Sequence, residues 1–152
     1  MSLDKKEIVS RLPYSHPFLF VDEITDVSEK GIKGNYTFPE DSYFYEGHFL
    51  NNPVTPGVIL IESMAQIGLV CFGIYLLASK TYDLKSNASV AMAETNVHFY
   101  APVFPKEKII VESELEYFRL NKLKCKVKLM KENGERVCVG TLAGMLIPNN
   151  EK

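Results

Sequence analysis

The feature that most constrains this chain is one long apolar segment near its middle. From Val58 to Ala78 the 152-residue sequence reads VILIESMAQIGLVCFGIYLLA, with Glu62 as its only charge and Gln66 as its only amide. A helix that is apolar on every side is either buried in protein or inserted in a membrane. The uncharged part is short for a membrane span, and no aromatic belt or Lys/Arg cluster flanks both ends. We therefore predict a buried core helix and no membrane partner.

The remaining sequence predicts strands that would wrap this helix. A short helix is expected from Asp4 to Leu12, capped by Asp4, and Asn133-Gly134 predicts a two-residue hairpin. Segments rich in β-branched and aromatic residues predict six strands: Phe18–Val27, Ile32–Phe38, Val90–Tyr100, Lys108–Arg119, Leu123–Lys131 and Glu135–Ile147. Helices do not alternate with strands, so we predict an α+β fold in one domain spanning residues 1–152. The first three residues are compatible with a cloning remnant.

Composition excludes several classes of function. The chain has 17 Lys+Arg against 19 Asp+Glu, and this balance argues against a nucleic-acid partner, which requires a basic face. Three cysteines, Cys71, Cys125 and Cys138, are far apart and form no CxxC pair, so neither a metal site nor a disulfide framework is predicted. The N-terminus is charged from its fourth residue and has no apolar export segment, so we expect a cytoplasmic protein with reduced thiols.

The residues most suited to chemistry lie between Phe44 and Gln66. His48 sits in a loop before the apolar helix, where its imidazole can serve as a general base. Gly57 opens that helix, and the free N–H groups of a helix start can stabilise an oxyanion. Glu62 and Gln66 are four residues apart, so they share one helix face. Burial should raise the pKa of Glu62, which suits a general acid.

At these residues the sequence resembles a known family. Gly-His-Phe at 47–49, followed by NPVTPGVILIESMAQ, is similar to the (3R)-hydroxyacyl-[acyl carrier protein] dehydratases of the FabZ type. LPYSHPFLFVDEI from Leu12 and, more weakly, HFYAPVFPKEKI from His98 extend the resemblance over nearly the whole chain. The resemblance implies a hotdog fold, in which an antiparallel sheet wraps a long central apolar helix. It also implies dehydration of (3R)-3-hydroxyacyl thioesters on acyl carrier protein to trans-2-enoyl thioesters, in fatty acid or related polyene or polyketide synthesis.

The resemblance also implies a role for each site residue. His48 would remove the C2 proton of the thioester, and Glu62 would release the 3-hydroxyl as water. The Gly57 N–H would polarise the thioester carbonyl, and Gln66 would support the carboxylate by hydrogen bonding. Glutamate rather than aspartate at position 62 indicates dehydration without double-bond migration. No metal or organic cofactor is expected, because the chemistry is proton transfer beside a polarised carbonyl.

The resemblance implies a homodimer in which His48 and Glu62 meet across the subunit interface, and it leaves open a trimer of dimers. One sheet covers only part of an apolar helix, so burial also favours a second subunit. Tyr45 and Phe49 flank His48 and are candidates to line an acyl tunnel. The basic residues with which the family meets its acidic carrier protein are missing around Tyr100, so docking must use another surface.

Two alternatives to the dehydratase remain open at this point. A hotdog thioesterase shares the architecture but requires a carboxylate or a polarised water aimed at the carbonyl carbon. A non-catalytic acyl-binding or partner protein would keep the fold without turnover. Four lysines that alternate along one predicted strand are either a solvated face or a docking patch for the carrier; they are Lys122, Lys124, Lys126 and Lys128.

Overall fold

The fold of this protein consists mainly of six strands and one long helix. The structure is a computed structural model that describes residues 3–81 and 88–148. The chain opens with helix α1 (Lys5–Ser10) and later forms a 3-10 turn at Tyr43–Tyr45. The central helix has three parts: α2 (Gly57–Ala65), a π-helical segment (Gln66–Cys71) and α3 (Phe72–Thr81). The strands are β1 (Glu23–Ser28), β2 (Gly31–Thr37), β3 (Ala88–Phe99), β4 (Lys108–Arg119), β5 (Lys122–Lys131) and β6 (Arg136–Pro148).

The strands form one antiparallel sheet in the order β1-β2-β4-β5-β6-β3. β3 is joined on one side to β6 and forms an edge, although β4 follows it in the chain. Residues 91 to 96 of this edge strand are all exposed in the single chain, and no strand within residues 3–81 and 88–148 pairs with its outer side. The sheet therefore ends on one side in a strand of 12 residues whose outer backbone edge is open.

The central helix lies against the inner face of the sheet. Alternate residues of β5 point inward, and Leu123, Cys125 and Leu129 are fully buried. Of the most apolar stretch of the helix, 78% is buried inside the fold. This burial confirms the predicted hotdog arrangement and makes the apolar segment a core helix. The capping box of α1, in which Asp4 and Glu7 bond each other's backbone N–H, confirms Asp4 as its N-cap.

Two local predictions were wrong. Phe18 to Asp22 is not strand, because the Phe18 carbonyl and the Phe20 N–H bond to the side chain of Gln66 instead of to a neighbouring strand. The β5–β6 connection has three residues rather than two, because Lys131 N–H bonds the Glu135 carbonyl at 2.9 Å. Gly134 has φ +90°, the left-handed conformation that closes such a loop.

The lysines of β5 face outward, on a strand that lies in the middle of the sheet. Lys122, Lys124 and Lys128 each pair with a glutamate of a nearby strand, at 2.7, 3.7 and 3.5 Å. These pairs neutralise most of the charge, so the solvated-face interpretation describes the strip better than a docking patch does. All three cysteines are buried free thiols.

Candidate active site

A tight loop before α2 holds His48. The Val54 N–H bonds the His48 carbonyl at 2.8 Å, and the Val54 carbonyl lies 2.8 Å from His48 Nδ1. A carbonyl oxygen can only accept a hydrogen bond, so Nδ1 carries the proton and donates it to Val54. In the neutral imidazole, Nε2 is then the free lone pair. The loop therefore holds His48 in the tautomer that a general base requires.

The helix start brings Gly57 to the same end of the fold. The Pro56 carbonyl accepts bonds from Ile59 and Leu60 at 2.9 and 3.1 Å, so the N–H of Gly57 precedes the bonded part of the helix. A Cβ at Gly57 would lie 3.3 Å from the ring of Phe99. Glycine therefore lets Phe99, at the end of β3, approach the helix start closely. The Thr55 N–H bonds the carbonyl of Val103 at 2.8 Å, which joins the loop before α2 to the segment that follows β3.

Glu62 and Gln66 meet one turn further along the helix. Gln66 Nε2 donates to Glu62 Oε2 at 3.0 Å, and Gln66 is fully buried whereas Glu62 is half-buried. The same Nε2 donates to the Phe18 carbonyl at 3.0 Å, and Oε1 accepts from the Phe20 N–H at 2.8 Å. Reversing the amide would place its NH2 group against the Phe20 N–H and its oxygen against the Phe18 carbonyl. The amide is therefore locked with its N–H toward Glu62.

This contact assigns different roles to the two oxygens of Glu62. Oε2 accepts from Gln66 in either charge state, so the proton of the neutral acid resides on Oε1. Burial raises the pKa of the Glu62 carboxyl above its ordinary value, and the hydrogen bond from Gln66 partly opposes that rise. The direction is the one that the sequence predicted. It favours a carboxyl group that can deliver a proton.

Tyr45 and Phe49, the two candidates for tunnel lining, differ in exposure. Phe49 is 52% exposed, and its ring stacks on that of His48 with centroids 3.9 Å apart. Tyr45 is buried, with its hydroxyl 2.6 Å from the Thr55 hydroxyl and its ring against Phe44. Tunnel lining stays a prediction for both residues, and the exposed ring of Phe49 fits it better than the buried ring of Tyr45.

No hydrogen bond joins His48 to Glu62 in residues 3–81 and 88–148. His48 bonds Val54 and Glu62 bonds Gln66, each on its own element. One chain thus presents a candidate base and a candidate acid as two separate half-sites. In the same described residues, no three His, Cys, Asp or Glu side chains are grouped to hold a metal ion.

Sequence reasoning missed the backbone groups that orient the site. The Val54 carbonyl selects the His48 tautomer, and the backbone of Phe18 and Phe20 locks Gln66. Both roles belong to backbone groups, so the residue types at these positions do not indicate them. Tyr14 was also missed as a neighbour of the acid. Burial, and next the negative charge of Glu62, raise the pKa of Tyr14 to about 12.

Comparison with known proteins identifies the family of this chain. The family model described as a FabA-like domain matches residues 12–141, which include all four candidate site residues. A protein from Wolbachia pipientis subsp. Culex pipiens (strain wPip), named 3-hydroxyacyl-[acyl-carrier-protein] dehydratase FabZ, is 38% identical over 138 residues, 87% of this chain and 90% of the relative. The chain belongs to the FabZ dehydratase family. A FabZ from Caldicellulosiruptor bescii is 37% identical over 145 residues, 93% of this chain and 95% of its own length.

Solved structures support the fold of this FabZ-family chain. The dehydratase heterocomplex ApeI:P from Xenorhabdus doucetiae matches with a TM-score of 0.77 at 15% identity, over 94% of this chain and 91% of the other. A thioesterase from Haemophilus influenzae matches with a TM-score of 0.58 at 18% identity, over 85% and 80% of the two chains. At such identities the matches establish the shared hotdog fold and leave activity to the site and the sequence relatives.

Proposed function

We propose that this chain dehydrates (3R)-3-hydroxyacyl thioesters carried on acyl carrier protein, giving trans-2-enoyl thioesters for fatty acid or related synthesis. The observation that carries the proposal is the half-buried Glu62, bound on one oxygen by an amide that cannot turn. A locked donor on Oε2 leaves Oε1 to deliver a proton, which is what a departing hydroxyl needs. The FabZ relatives bear the name of the same activity.

In the proposed reaction the two half-sites act on neighbouring carbons. His48 Nε2 takes the proton from C2, and the electron pair of that C–H bond forms the C2–C3 double bond. The C3–O bond breaks, and its oxygen leaves as water with the proton from Glu62 Oε1. Imidazolium and carboxylate remain, and proton exchange with solvent restores both groups. The two proton transfers that accompany bond breaking are between these two residues and the substrate.

Gly57 supplies the electrostatic part of the proposal. Removing a proton from C2 places negative charge on the thioester oxygen, which an N–H at a helix start stabilises. The Gly57 N–H lies before the first bonded turn of α2, and the absent side chain keeps access to it open apart from the ring of Phe99. Each chain thus supplies a base, an acid and an oxyanion donor from one loop and the helix that follows it.

We further propose a homodimer with shared active sites, in the cytoplasm. The open edge of β3 offers unpaired backbone groups to a second copy. Apolar side chains beside the site are exposed in the single chain, with Val58 73% and Phe99 47% exposed. Pairing two copies at this edge would cover them and bring His48 of one subunit toward Glu62 of the other.

The thioesterase alternative has less support. It rests on structural neighbours such as the Haemophilus influenzae thioesterase, whose likeness extends to the fold alone. A non-catalytic acyl-binding role would leave the locked Glu62–Gln66 pair without a use. Burial of a carboxyl group is costly, so retention of this pair favours turnover.

Product analysis separates the three functions. The purified protein is mixed with a 3-hydroxyacyl thioester, first on a small thiol and then on acyl carrier protein, and the products are resolved by mass spectrometry. The proposal predicts an enoyl thioester and its approach to equilibrium from either side. Free 3-hydroxy acid would identify a thioesterase, and binding without any product would identify an acyl-binding protein.

A further inference from the structure

An exposed guanidinium lies at the same end of the sheet as the candidate active site. Arg136 begins β6, and its guanidinium carbon is 4.5 Å from the ring centroid of Tyr100. The Tyr100 N–H bonds the Val137 carbonyl at 2.7 Å, which fixes the two residues side by side. Tyr100 follows Phe99 directly, and Phe99 contacts the helix start at Gly57. Arg136 is thus one strand away from the proposed carbonyl-binding N–H.

Arg136 differs from two lysines near this end of the sheet. Lys106 pairs with Glu40 at 2.6 Å, and Lys131 lies 3.2 Å from Glu107 and 3.7 Å from Glu135. Within residues 3–81 and 88–148 no carboxylate lies within 4 Å of the Arg136 guanidinium. Stacking on Tyr100 holds the planar group while leaving its N–H donors directed to solvent. The result is one preorganised cation with free donors beside the site.

The surroundings indicate what kind of anion would bind. Glu107 and Glu135 share the single ammonium of Lys131, so a net negative charge remains at this end of the sheet and a broad acidic protein surface would be repelled. A single compact anion avoids that repulsion and matches the fork of a guanidinium, as a phosphate does. The proposed substrates carry such a group, because a pantetheine arm joins the thioester to its carrier through a phosphate.

We propose that Arg136 binds the phosphate of the pantetheine arm when the thioester lies at Gly57. The inference rests on the proposed function for the identity of the substrate. The phosphate is common to acyl carrier protein and coenzyme A, so the contact is expected with both. Arg136 is a binding residue in this account and takes no part in proton transfer.

The test compares thioesters that differ only in the phosphate. The same 3-hydroxyacyl group is supplied on pantetheine and on 4′-phosphopantetheine, and kcat/KM is measured for both. The wild type is expected to prefer the phosphorylated arm by about tenfold, through KM. Arg136→Gln should lose that preference with kcat unchanged, and Arg136→Lys should keep part of it because the charge remains.

Arg119 provides a matched control. Its guanidinium stacks on Tyr117 at 4.3 Å, and no carboxylate in the described residues pairs with it, but it ends β4 at the opposite end of the sheet. Arg119→Gln should behave as the wild type with both arms. Equal rates of the wild type on the two arms would overturn the proposal. So would an equal loss with both arms in Arg136→Gln, which would indicate a structural role.

Two further experiments are needed. One distinguishes the two carriers of the phosphate, and the other separates a failure of this proposal from a failure of the proposed function. Acyl-coenzyme A and acyl carrier protein should lose the same factor in Arg136→Gln. A loss confined to the carrier protein would place Arg136 against the protein surface and contradict the phosphate contact. If the wild type turns over no thioester, calorimetric titration with phosphopantetheine and with pantetheine still decides whether Arg136 binds the phosphate.

Discussion

Gln66 holds Glu62 by one oxygen, with Nε2 and Oε2 3.0 Å apart, and the backbone of Phe18 and Phe20 prevents the amide from turning. The pair therefore links the N-terminal segment to the central helix as well as orienting the carboxyl group. Burial raises the pKa of Glu62, and the hydrogen bond from Gln66 opposes the rise. The hydrogen bond therefore offsets only part of the free-energy cost of burying the ionised carboxylate.

The raised pKa of Glu62 predicts a pH dependence of stability. The folded state binds the proton more tightly than the unfolded chain, whose pKa is near the ordinary 4.5. The favourable contribution is therefore present below that pH and is lost as the pH rises through the raised value. Glu62→Gln keeps an acceptor for Gln66 and carries no charge. Its stability relative to the wild type should therefore increase from about pH 4.5 upward.

Urea unfolding between pH 3 and 8 measures this difference. Glu94 gives a control of opposite sign, because the hydrogen bond from Lys122 lowers the pKa of that carboxyl. Glu94→Gln should therefore lose stability relative to the wild type as the pH rises toward and just past 4.5, and the difference should then stay constant. A Glu62→Gln difference that stays constant with pH would contradict the account of a desolvated carboxyl group.

The Tyr45–Thr55 hydrogen bond is predicted to fasten the His48 loop. Both hydroxyls are buried and 2.6 Å apart, so removing one leaves the other without its partner. Tyr45→Phe and Thr55→Val should each lower the free energy of unfolding by about 1–2 kcal/mol. The double variant should lose less than the sum, because neither hydroxyl is left alone. Strictly additive losses in urea unfolding would count against the bond.

Ser113 is predicted to stabilise the π-helical segment. Its hydroxyl donates to the Gly68 carbonyl at 3.0 Å, across the interface between β4 and the central helix. Ser113→Ala should cost about 1 kcal/mol of unfolding free energy, because a buried carbonyl loses a donor. Ser63→Ala is the control, since that hydroxyl bonds the Ile59 carbonyl within its own helix at 3.0 Å. Equal losses of unfolding free energy in the two variants, measured by thermal unfolding, would show that the contact between sheet and helix stabilises the fold no more than a bond within one helix does.

The sequence predicted those parts of the fold that depend on local patterns. The helix predicted from the apolar segment Val58–Ala78 and the strand predicted from Lys108 to Arg119 both appear in the structure. The first residues of the predicted strand Phe18–Val27 did not, because Phe20 bonds to a side chain 46 residues away. A contact between residues so far apart in sequence overrides strand propensity, and no local sequence pattern predicts it.

The candidate site shows the same division. His48, Gly57, Glu62 and Gln66 were selected by residue type and spacing, and the structure puts the last two in contact. The Val54 carbonyl could not be selected, since every residue has a carbonyl and only the folded loop aims this one at His48. Placement of β3 beside β6 likewise depends on the whole sheet.

Subunit mixing tests whether the two half-sites meet across a dimer. His48→Ala and Glu62→Gln are each expected to be inactive alone. If the sites are shared, a heterodimer of the two variants has one site with both substitutions and one intact site. Random refolding of an equal mixture should therefore restore about a quarter of wild-type activity, because half of the dimers are mixed. No recovery in a mixture shown to contain heterodimers would mean that both groups act from one chain.

The most direct measurement is the loss of enoyl thioester absorbance during hydration, the reverse of the proposed reaction. Wild type, His48→Ala and Glu62→Gln are compared on one enoyl thioester, with His98→Ala as the control for an exposed histidine that has no assigned role. The account predicts turnover by wild type and His98→Ala, and a loss of about 100-fold or more in the other two. Activity that survives His48→Ala, or a wild type that hydrates no enoyl thioester, would contradict it.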